Sequence, residues 1–365
     1  MTLKEKIRFK LLGSKAFGKK IIKANRDYYL SFKSMRWGGE LTFGEEIEHV
    51  FGIFLTDKEK ADEKLKEEMR IDMVWCYYRF GAVPREYFLM DFPHSDDKKR
   101  ATYLTTRHKD NVMTKKVGRG ENWYLMENKN NFYDRFGQFF KRDVIKFNEA
   151  VTREAFAEFC KKHDSFICKP ISGQCGKGVE ILRMADYDND PDKAFDHLKE
   201  RGQYIVEELI RQDESTKQFN PSSVNTVRLP AFMNKTGFHI MRPVFRTGRA
   251  GSVVDNAGNG GIFSVIDEKT GVCRTKGYDE FGGIFERHPD SGAKYEGFQI
   301  PDWDKLLKFA EEVHSTIPFY PFVGWDFAYT ADKEWVLVEG NWGQIVCEYA
   351  EREGVKKMFD DFFDD

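Results

Sequence analysis

The sequence predicts an α+β fold preceded by a mainly helical N-terminal region, and three observations carry that prediction. Up to about residue 125, long charged runs pass without strand-like alternation. Between residues 126 and 210, short helical patterns alternate with short apolar strands. Beyond Arg211 strands dominate, ending in an alternating hairpin. The chain has 365 residues, enough for two or three domains of roughly 150 residues each. The expected divisions are 1–125, 126–210 and 211–365.

In the first division, Asp57–Phe80 is a charged and then aromatic run with no Gly or Pro before Gly81, and it reads as one long helix. In the second, Asn130–Phe140 reads as a short helix and Val144–Phe147 as a strand. Thr152 is placed to cap a helix ending near His163. Strands follow at Phe166–Lys169, Val179–Arg183 and Tyr204–Glu208, with a helix at Asp192–Arg201. In the third, strands are expected at Val227–Met233, Phe238–Phe245, Ser252–Asp255 and Ile262–Asp267. Asp302–His314 is an amphipathic helix with Leu306, Phe309, Ala310 and Val313 on one face.

Composition narrows the function. A net charge of −2 gives no global footprint for nucleic acid. No stretch reaches the ~20 apolar residues of a membrane span, and the start has no signal-peptide core, so the protein is expected in the cytoplasm. From Met1 to Arg36 there are 11 Lys/Arg against Glu5 and Asp27, a balance of 11 − 2 = +9. Residues 4–36 are therefore either a solvated helix face or a peripheral contact with an anionic membrane or polyanionic glycan. Six scattered cysteines without CxxC spacing read as reduced thiols, and Cys175 stands out because it lies in a glycine-rich loop.

Chemistry concentrates in residues 323–341, VGWDFAYT-ADKE-WVLVEGN. A four-residue loop, Ala331–Glu334, would pair residue i with 665 − i and set Asp326 opposite Glu339, with Asn341 on the same face. Carboxylates facing each other across a ladder lie about 5 Å apart and repel unless a cation separates them. Hard oxygen donors of this kind suit Mg2+ completed by nucleotide phosphates; otherwise the register slips or Glu339 points to solvent. Lys169 ends an apolar strand and is held extended by Pro170. Gly173-Gln174-Cys175-Gly176-Lys177-Gly178 follows, either a loop whose N–H groups cup phosphate or an ordinary turn. It fits neither a Walker A nor a protein-kinase loop. Tyr204-Ile-Val-Glu207-Glu208-Leu209 is a strand ending in acids. Its edge could pair with adenine and its acids could hold ribose, or those acids could simply be solvated.

Lysine, lysine with a glycine loop, a VEE segment and D…E-x-N, in this order, resemble the ATP-grasp superfamily. Asp326, Glu339 and Asn341 look like the metal triad of D-alanine–D-alanine ligases. Asn128-Lys129 before a helix looks like the first phosphate lysine and Lys169 like the second. Glu207 or Glu208, running into Leu209, looks like the adenine hinge, and Glu214 matches the ribose-binding acid. Tyr87-Phe88, Asn225-Thr226-Val227-Arg228, Asp255-Asn256 and Gly260-Gly261 are similar to the sugar-transfer-associated ATP-grasp family. Its members are suspected to act in surface-polysaccharide assembly.

The resemblance implies two α+β lobes clasping ATP, a small lobe at 126–210 and a large lobe at 211–365. It further implies ATP with one or two Mg2+ ions, Mn2+ being an alternative. The implied activity is ligation of a small-molecule or glycan-linked carboxylate to an amine or thiol through an acyl phosphate. The rivals are a phosphotransferase acting on a hydroxyl and a nucleotide-binding scaffold that turns nothing over. The sequence departs from the ligases in two ways. Their N-terminal α/β domain is not evident, and Gly324 stands where they carry an arginine two residues before the metal Asp. Arg228, Arg242 or Arg246 could supply that charge from neighbouring strands, or form surface ion pairs.

Overall fold

The computed structural model describes residues 3–33, 41–117, 121–172, 178–202, 204–255, 257–341 and 347–364. The chain divides into two compact units, Met1–Lys116 with Glu351–Asp365, and Val117–Ala350. The C-terminal segment thus clusters with the helical unit, whereas the sequence reading assigned it to the third division.

Nine helices build most of the first unit among the described residues: α1 (Leu3–Leu12), α2 (Gly18–Ala24), α3 (Arg26–Leu30), α4 (Phe43–Phe54), α5 (Asp57–Ala61), α6 (Glu63–Phe80), α7 (Pro84–Leu89), α8 (Asp97–Arg100) and α9 (Thr106–Lys116). The run 57–80 is two helices, not one. Asp62 leaves helical geometry and its side chain accepts from the Leu65 amide, so it caps α6 rather than continuing α5. Gly81, at φ 79°, ends α6 in the left-handed conformation that favours glycine. Within the unit, Tyr87 donates its hydroxyl to Asp72 at 2.8 Å and Arg100 donates to the same carboxylate at 3.0 Å. The terminal helix Lys356–Asp364 docks through His108 to Asp360 (2.6 Å) and Lys116 to the Phe363 carbonyl (2.6 Å).

The second unit contains α10 (Glu121–Glu127), α11 (Lys129–Phe136), α12 (Arg153–Lys162), α13 (Pro191–Arg201), α14 (Glu214–Lys217) and α15 (Trp303–Ser315) around two antiparallel sheets. The smaller sheet comprises β1 (Val144–Phe147), β2 (Ser165–Pro170), β3 (Glu180–Arg183) and β4 (Tyr204–Glu208), in the order β1-β4-β2-β3. One face of it, with Phe147, Phe166, Leu182 and Val206, packs on Phe156, Phe159, Phe195 and Leu198 of α12 and α13. Each fully buried aromatic of this kind contributes about 1.5–3 kcal/mol relative to exposure. Strand alternation sends Lys169 and Glu207 to the opposite face.

The larger sheet is built from β5 (Thr226–Asn234), β6 (Gly237–Ile240), β7 (Val244–Thr247), β8 (Ile262–Val265), β9 (Gly277–Tyr278), β10 (Ile284–Phe285), β11 (Phe322–Tyr329) and β12 (Trp335–Asn341). Its order is β10-β9-β8-β7-β5-β11-β12, with β6 also pairing β5. The strand expected over Phe238–Phe245 is two strands. Pro243 has no N–H to give the ladder and Arg242 takes φ +47°, so β6 and β7 separate there. Ser252–Asp255 is not a strand; Ser252 and Val254 bond to each other in a local turn. Trp325 and Phe327 face α15, where Trp325 donates to His314 (3.2 Å) and Phe327 meets Phe309 edge-on. Asp326 therefore projects from the other face.

Candidate active site

The hairpin β11–β12 reaches the expected pairing by a different route. Thr330 bonds back to Glu334, so the loop is the three residues Ala331–Lys333, with Lys333 at φ +62° as such loops require. Tyr329 faces Trp335 and Phe327 faces Leu337, one step off the expected register. A bulge between Asp326 and Phe327 leaves Val338 unmatched and restores the step, and Asp326 faces Glu339 with Gly324 opposite Asn341. Gly340 is obligatory here. A Cβ on it would lie 2.8 Å from Trp325 and 2.9 Å from Phe132.

Across the other edge of β11, Asp326 faces Arg228 of β5. All three side chains share one face, where Arg246 and Asp255 join them. Arg228 grips Asp326 with both its Nε and Nη2 atoms, the latter at 2.7 Å. Arg246 donates to Asp326 Oδ2 at 3.0 Å and to Asp255 at 2.9 Å, while Thr226 donates its hydroxyl to Asp255. Asn341 Nδ2 lies 3.1 Å from Glu339 Oε1 and 3.4 Å from Asp326 Oδ2. The amide donor thus sits where the two carboxylates converge.

Three carboxylates meet two guanidinium groups, and their protonation follows from who holds whom. Burial alone would raise Asp326, but Arg228 and Arg246 overrule it and hold it below the usual carboxylate range. Burial raises Glu339, and the Asp326 charge raises it further. Asp255 is also raised by burial, which Arg246 offsets only in part. Glu339 and Asp326 hydrogen-bond each other, and of the two Glu339 holds a proton the more tightly. A divalent cation would remove the need for that proton, and two carboxylates with an amide oxygen are hard donors suited to Mg2+.

The smaller sheet contributes a second cluster. Lys169 and Glu207 are diagonal neighbours on β2 and β4, paired at 2.8 Å. Arg142 holds the same carboxylate through Nε at 2.9 Å and reaches the Leu337 carbonyl of β12 at 2.8 Å. Burial would raise Glu207, but Arg142 and Lys169 bring it down to about 2. Lys129 begins α11, with Asn128 capping that helix through the Asn130 and Asn131 amides. Burial lowers the Lys129 ammonium, Glu339 offsets this in part, and Lys169 and Glu207 also act on it. Lys129 therefore lies within electrostatic reach of both clusters.

The structure brings together Asp326, Glu339, Asn341, Arg228 and Arg246, and beside them Lys129, Lys169 and Glu207. Arg242 stands at the break between β6 and β7, where its amide donates to Glu268 at 2.7 Å. β4 is an inner strand of the smaller sheet. It lies between β1 and β2, so its backbone is paired on both sides through Glu207. Adenine could meet free backbone only past Glu208, at Leu209. The Glu207 carboxylate is paired with Lys169 and Arg142. Glu208 accepts from the Asp143 amide (3.0 Å), within 4.8 Å of an Asp143–His163 pair that accounts for this polar group. Glu214 is exposed beside Lys217 at 2.8 Å. Gly178 follows the loop with φ +74°. Gly173, Gln174, Cys175, Gly176 and Lys177 lie outside the described residues, as does Asn256.

Two of the motif segments do structural work. Asn225 Nδ2 binds Gln212 Oε1 and the Thr216 and Asn220 carbonyls, closing the loop ahead of β5. Tyr87 belongs to the helical unit's Asp72 network. Sequence reasoning missed Arg142, which has no periodic or motif signal, and the Lys333–Asp213 ion pair. That pair, with the Asp213 amide on Tyr329 O and the Ala331 amide on Arg211 O, fastens the hairpin tip to the segment following β4.

No functionally curated protein matches the sequence. Among solved structures, the chain resembles D-alanyl-alanine synthetase A from Vibrio cholerae at 11% identity, covering 65% of this chain and 60% of that one, with a TM-score of 0.38. It resembles the ATP-grasp ligase PsnB, complexed with a minimal precursor, Mg and ADP, at 10% identity over 85% of this chain and 75% of that one, TM-score 0.40. An ADP complex of N5-carboxyaminoimidazole ribonucleotide synthetase is matched at 14% identity over 62% of this chain, TM-score 0.37. The chain spans 47% of that synthetase's length. The family model described as sugar-transfer associated ATP-grasp matches residues 110–362, well over half of the sequence. The chain belongs to the sugar-transfer associated ATP-grasp family.

Proposed function

We propose that this protein is an ATP-dependent ligase that joins a carboxylate to an amine, or to a thiol, through an acyl phosphate. The observation that carries the reading is the face of the larger sheet where Asp326 stands between Glu339 and Arg228. Asp326, Glu339 and Asn341 would hold Mg2+, or Mn2+, which supplies charge neutralisation to ATP phosphates. Lys129 and Lys169 would contact phosphate oxygens, with residues 173–178 closing over them and Leu209 and Glu214 on the nucleoside side. A substrate carboxylate oxygen attacks the γ-phosphorus and ADP leaves. The amine then attacks the acyl carbon, releasing inorganic phosphate and a proton.

Arg228 and Arg246 border the reacting face and would orient the carboxylate, supplying the charge that Gly324 lacks. No side-chain nucleophile is needed. The substrate class favoured is a sugar acid, an amino acid or a glycan-linked carboxylate of surface-polysaccharide assembly. Recruitment to an anionic surface through residues 4–36 belongs to the same reading. Among the described residues, no helix is long and apolar enough to cross a membrane.

The test is incubation with Mg-ATP and a panel of sugar acids and amino acids, with product mass and phosphate measured together. A ligase gives a condensed product with loss of water, ADP and phosphate, and hydroxylamine traps its acyl phosphate as a hydroxamate. A phosphorylated acceptor with ADP and no free phosphate would make the protein a phosphotransferase. Nucleotide binding without turnover across the panel would make it a scaffold.

A further inference from the structure

Ten large hydrophobic side chains are well exposed among the described residues, and four of them, Ile7, Leu11, Phe17 and Tyr28, fall on α1–α3 and their junctions. α1 turns Leu12 into the unit and lays Phe9 against Tyr78, with ring centroids 4.5 Å apart. Ile7 and Leu11, one helical turn apart, occupy the outward side and remain 54% and 49% exposed. Phe17, just before α2, is 60% exposed, and Tyr28 on α3 is 57% exposed with Arg8 stacked over its ring.

The basic residues of the segment fall into two groups. Lys15 pairs with Asp97 at 3.4 Å, and Lys19 pairs with Asp72 at 2.6 Å while lying over the Trp75 ring. These fasten the segment to the unit. Lys10, Lys20 and Lys23 are exposed and carry no ion pair among the described residues. α2 buries Gly18 and Ile22, so Lys20 and Lys23 lie on its outward side. From residue 7 to residue 30 the sole acid is Asp27, already beside Arg26.

We propose that the outward surface of α1–α3 docks on an anionic lipid bilayer. Ile7, Leu11, Phe17 and Tyr28 enter the headgroup layer, and Lys10, Lys20 and Lys23 lie among the phosphates. This rests on the recruitment stated above and not on the ligase chemistry. Cations alone would suit any polyanion. The aliphatic pair decides between them, because a charged glycan offers Ile7 and Leu11 nothing, whereas the boundary between headgroups and acyl chains accepts apolar side chains ringed by lysines.

The experiment is sedimentation of the full chain with vesicles of phosphatidylcholine and phosphatidylglycerol in equal parts, against phosphatidylcholine alone and soluble dextran sulfate. Binding is expected only where phosphatidylglycerol is present. Combining Lys10→Gln, Lys20→Gln and Lys23→Gln should weaken it by roughly a hundredfold at low salt, about fivefold per lysine. Ile7→Ser with Leu11→Ser should weaken it by roughly tenfold or more, and the loss should persist at salt that screens the lysines. A Leu11→Trp probe should shift its emission to the blue on vesicles. Far-ultraviolet circular dichroism and ATP turnover should be the same in all variants. Vesicle binding indifferent to the apolar pair, dextran sulfate binding with no Trp shift on vesicles, or no vesicle binding at low salt would each overturn the proposal. Docking without ligation would leave it standing and sink only the ligase reading.

Discussion

Glu207 and Glu339 are the same residue type on neighbouring sheets of one compact unit, yet their surroundings drive them in opposite directions. Around Glu207 two cations, Lys169 and Arg142, hold one carboxylate, and its pKa falls to about 2. Around Glu339 three carboxylates share two guanidinium groups, and its pKa rises. The first cluster sets two cations on one carboxylate and ties the smaller sheet to β12. The second is one cation short, and such a deficit marks a place where a ligand completes the structure. Which charge is in excess, rather than burial or residue type, decides the direction in which each buried carboxyl moves.

The largest expected effect is at the second cluster. Glu339→Gln should cost about 10²–10³-fold in turnover, the scale of losing one electrostatic contact to a developing charge. The same change removes a repulsion, so the metal-free protein should melt no lower than wild type, while Mg2+ should no longer raise Tm. Asp326→Asn should lose turnover too, but at a cost of ~3–5 kcal/mol in stability, because Arg228 and Arg246 are left without their shared carboxylate. Full activity in both variants would remove the metal assignment.

Glu207→Gln should do the reverse, losing ~3–5 kcal/mol with or without Mg2+. Its pH dependence gives a sharper reading. A carboxyl lowered from 4.5 to about 2 adds stability that is fully present above about pH 4.5 and lost as pH falls towards 2. That contribution is worth about 3 kcal/mol at neutral pH, and denaturation followed across this range should lose it in the variant. Glu339 slopes the other way. Its contribution is present below about pH 4.5 and fades as pH rises through its raised pKa. An unchanged acid limb in Glu207→Gln would show that Arg142 and Lys169 do not hold this carboxyl below its ordinary range.

A smaller effect tests whether nucleotide spans both clusters. Cys160 and Cys273 are pushed by burial to about 11 and about 12, and Cys76 and Cys168 are also raised by burial. These four thiols should resist alkylation in the folded protein. Mg-nucleotide should slow alkylation mapped to Cys175, and equal rates with and without nucleotide would count against closure of residues 173–178. The smallest effect is at the outer bonds of Arg142. Arg142→Lys keeps the charge but loses the fork that also reaches Phe140 O and Leu337 O, and should cost about 1–2 kcal/mol. A larger loss would mean that Arg142 contributes more to the Glu207 cluster than its charge.

The sequence reveals what is local. Thr152 as a cap and the strands at 144–147 and 204–208 stand where alternation and turn chemistry put them. The pairing of Asp326 with Glu339 also stands, although the loop is one residue shorter than expected and the bulge supplies the difference. Hidden were the contacts made only after the sheets assemble. Arg142 meets Glu207 and Leu337 across long stretches of chain, and Arg246 meets Asp326 from a strand that pairs with neither β11 nor β12. Strand order was equally hidden, because an apolar run such as β4 carries no record of its neighbours. Pro243 was a readable break that the apolar run through 238–245 masked.

The hairpin tip deserves one more consequence. Asp326 stands midway along β11. At the strand's end and just past it, Tyr329 and Ala331 bond to Asp213 and Arg211, just ahead of Glu214. The four steps from Asp326 to Thr330 make a ribbon of roughly 14 Å at 3.4 Å per residue. In the proposed reading that ribbon is a gauge, with triphosphate at one mark and nucleoside at the other. Lengthening both strands by a matched pair of residues would keep every side chain on its face and still move the marks apart, so that a protein with an intact metal triad could no longer measure its nucleotide.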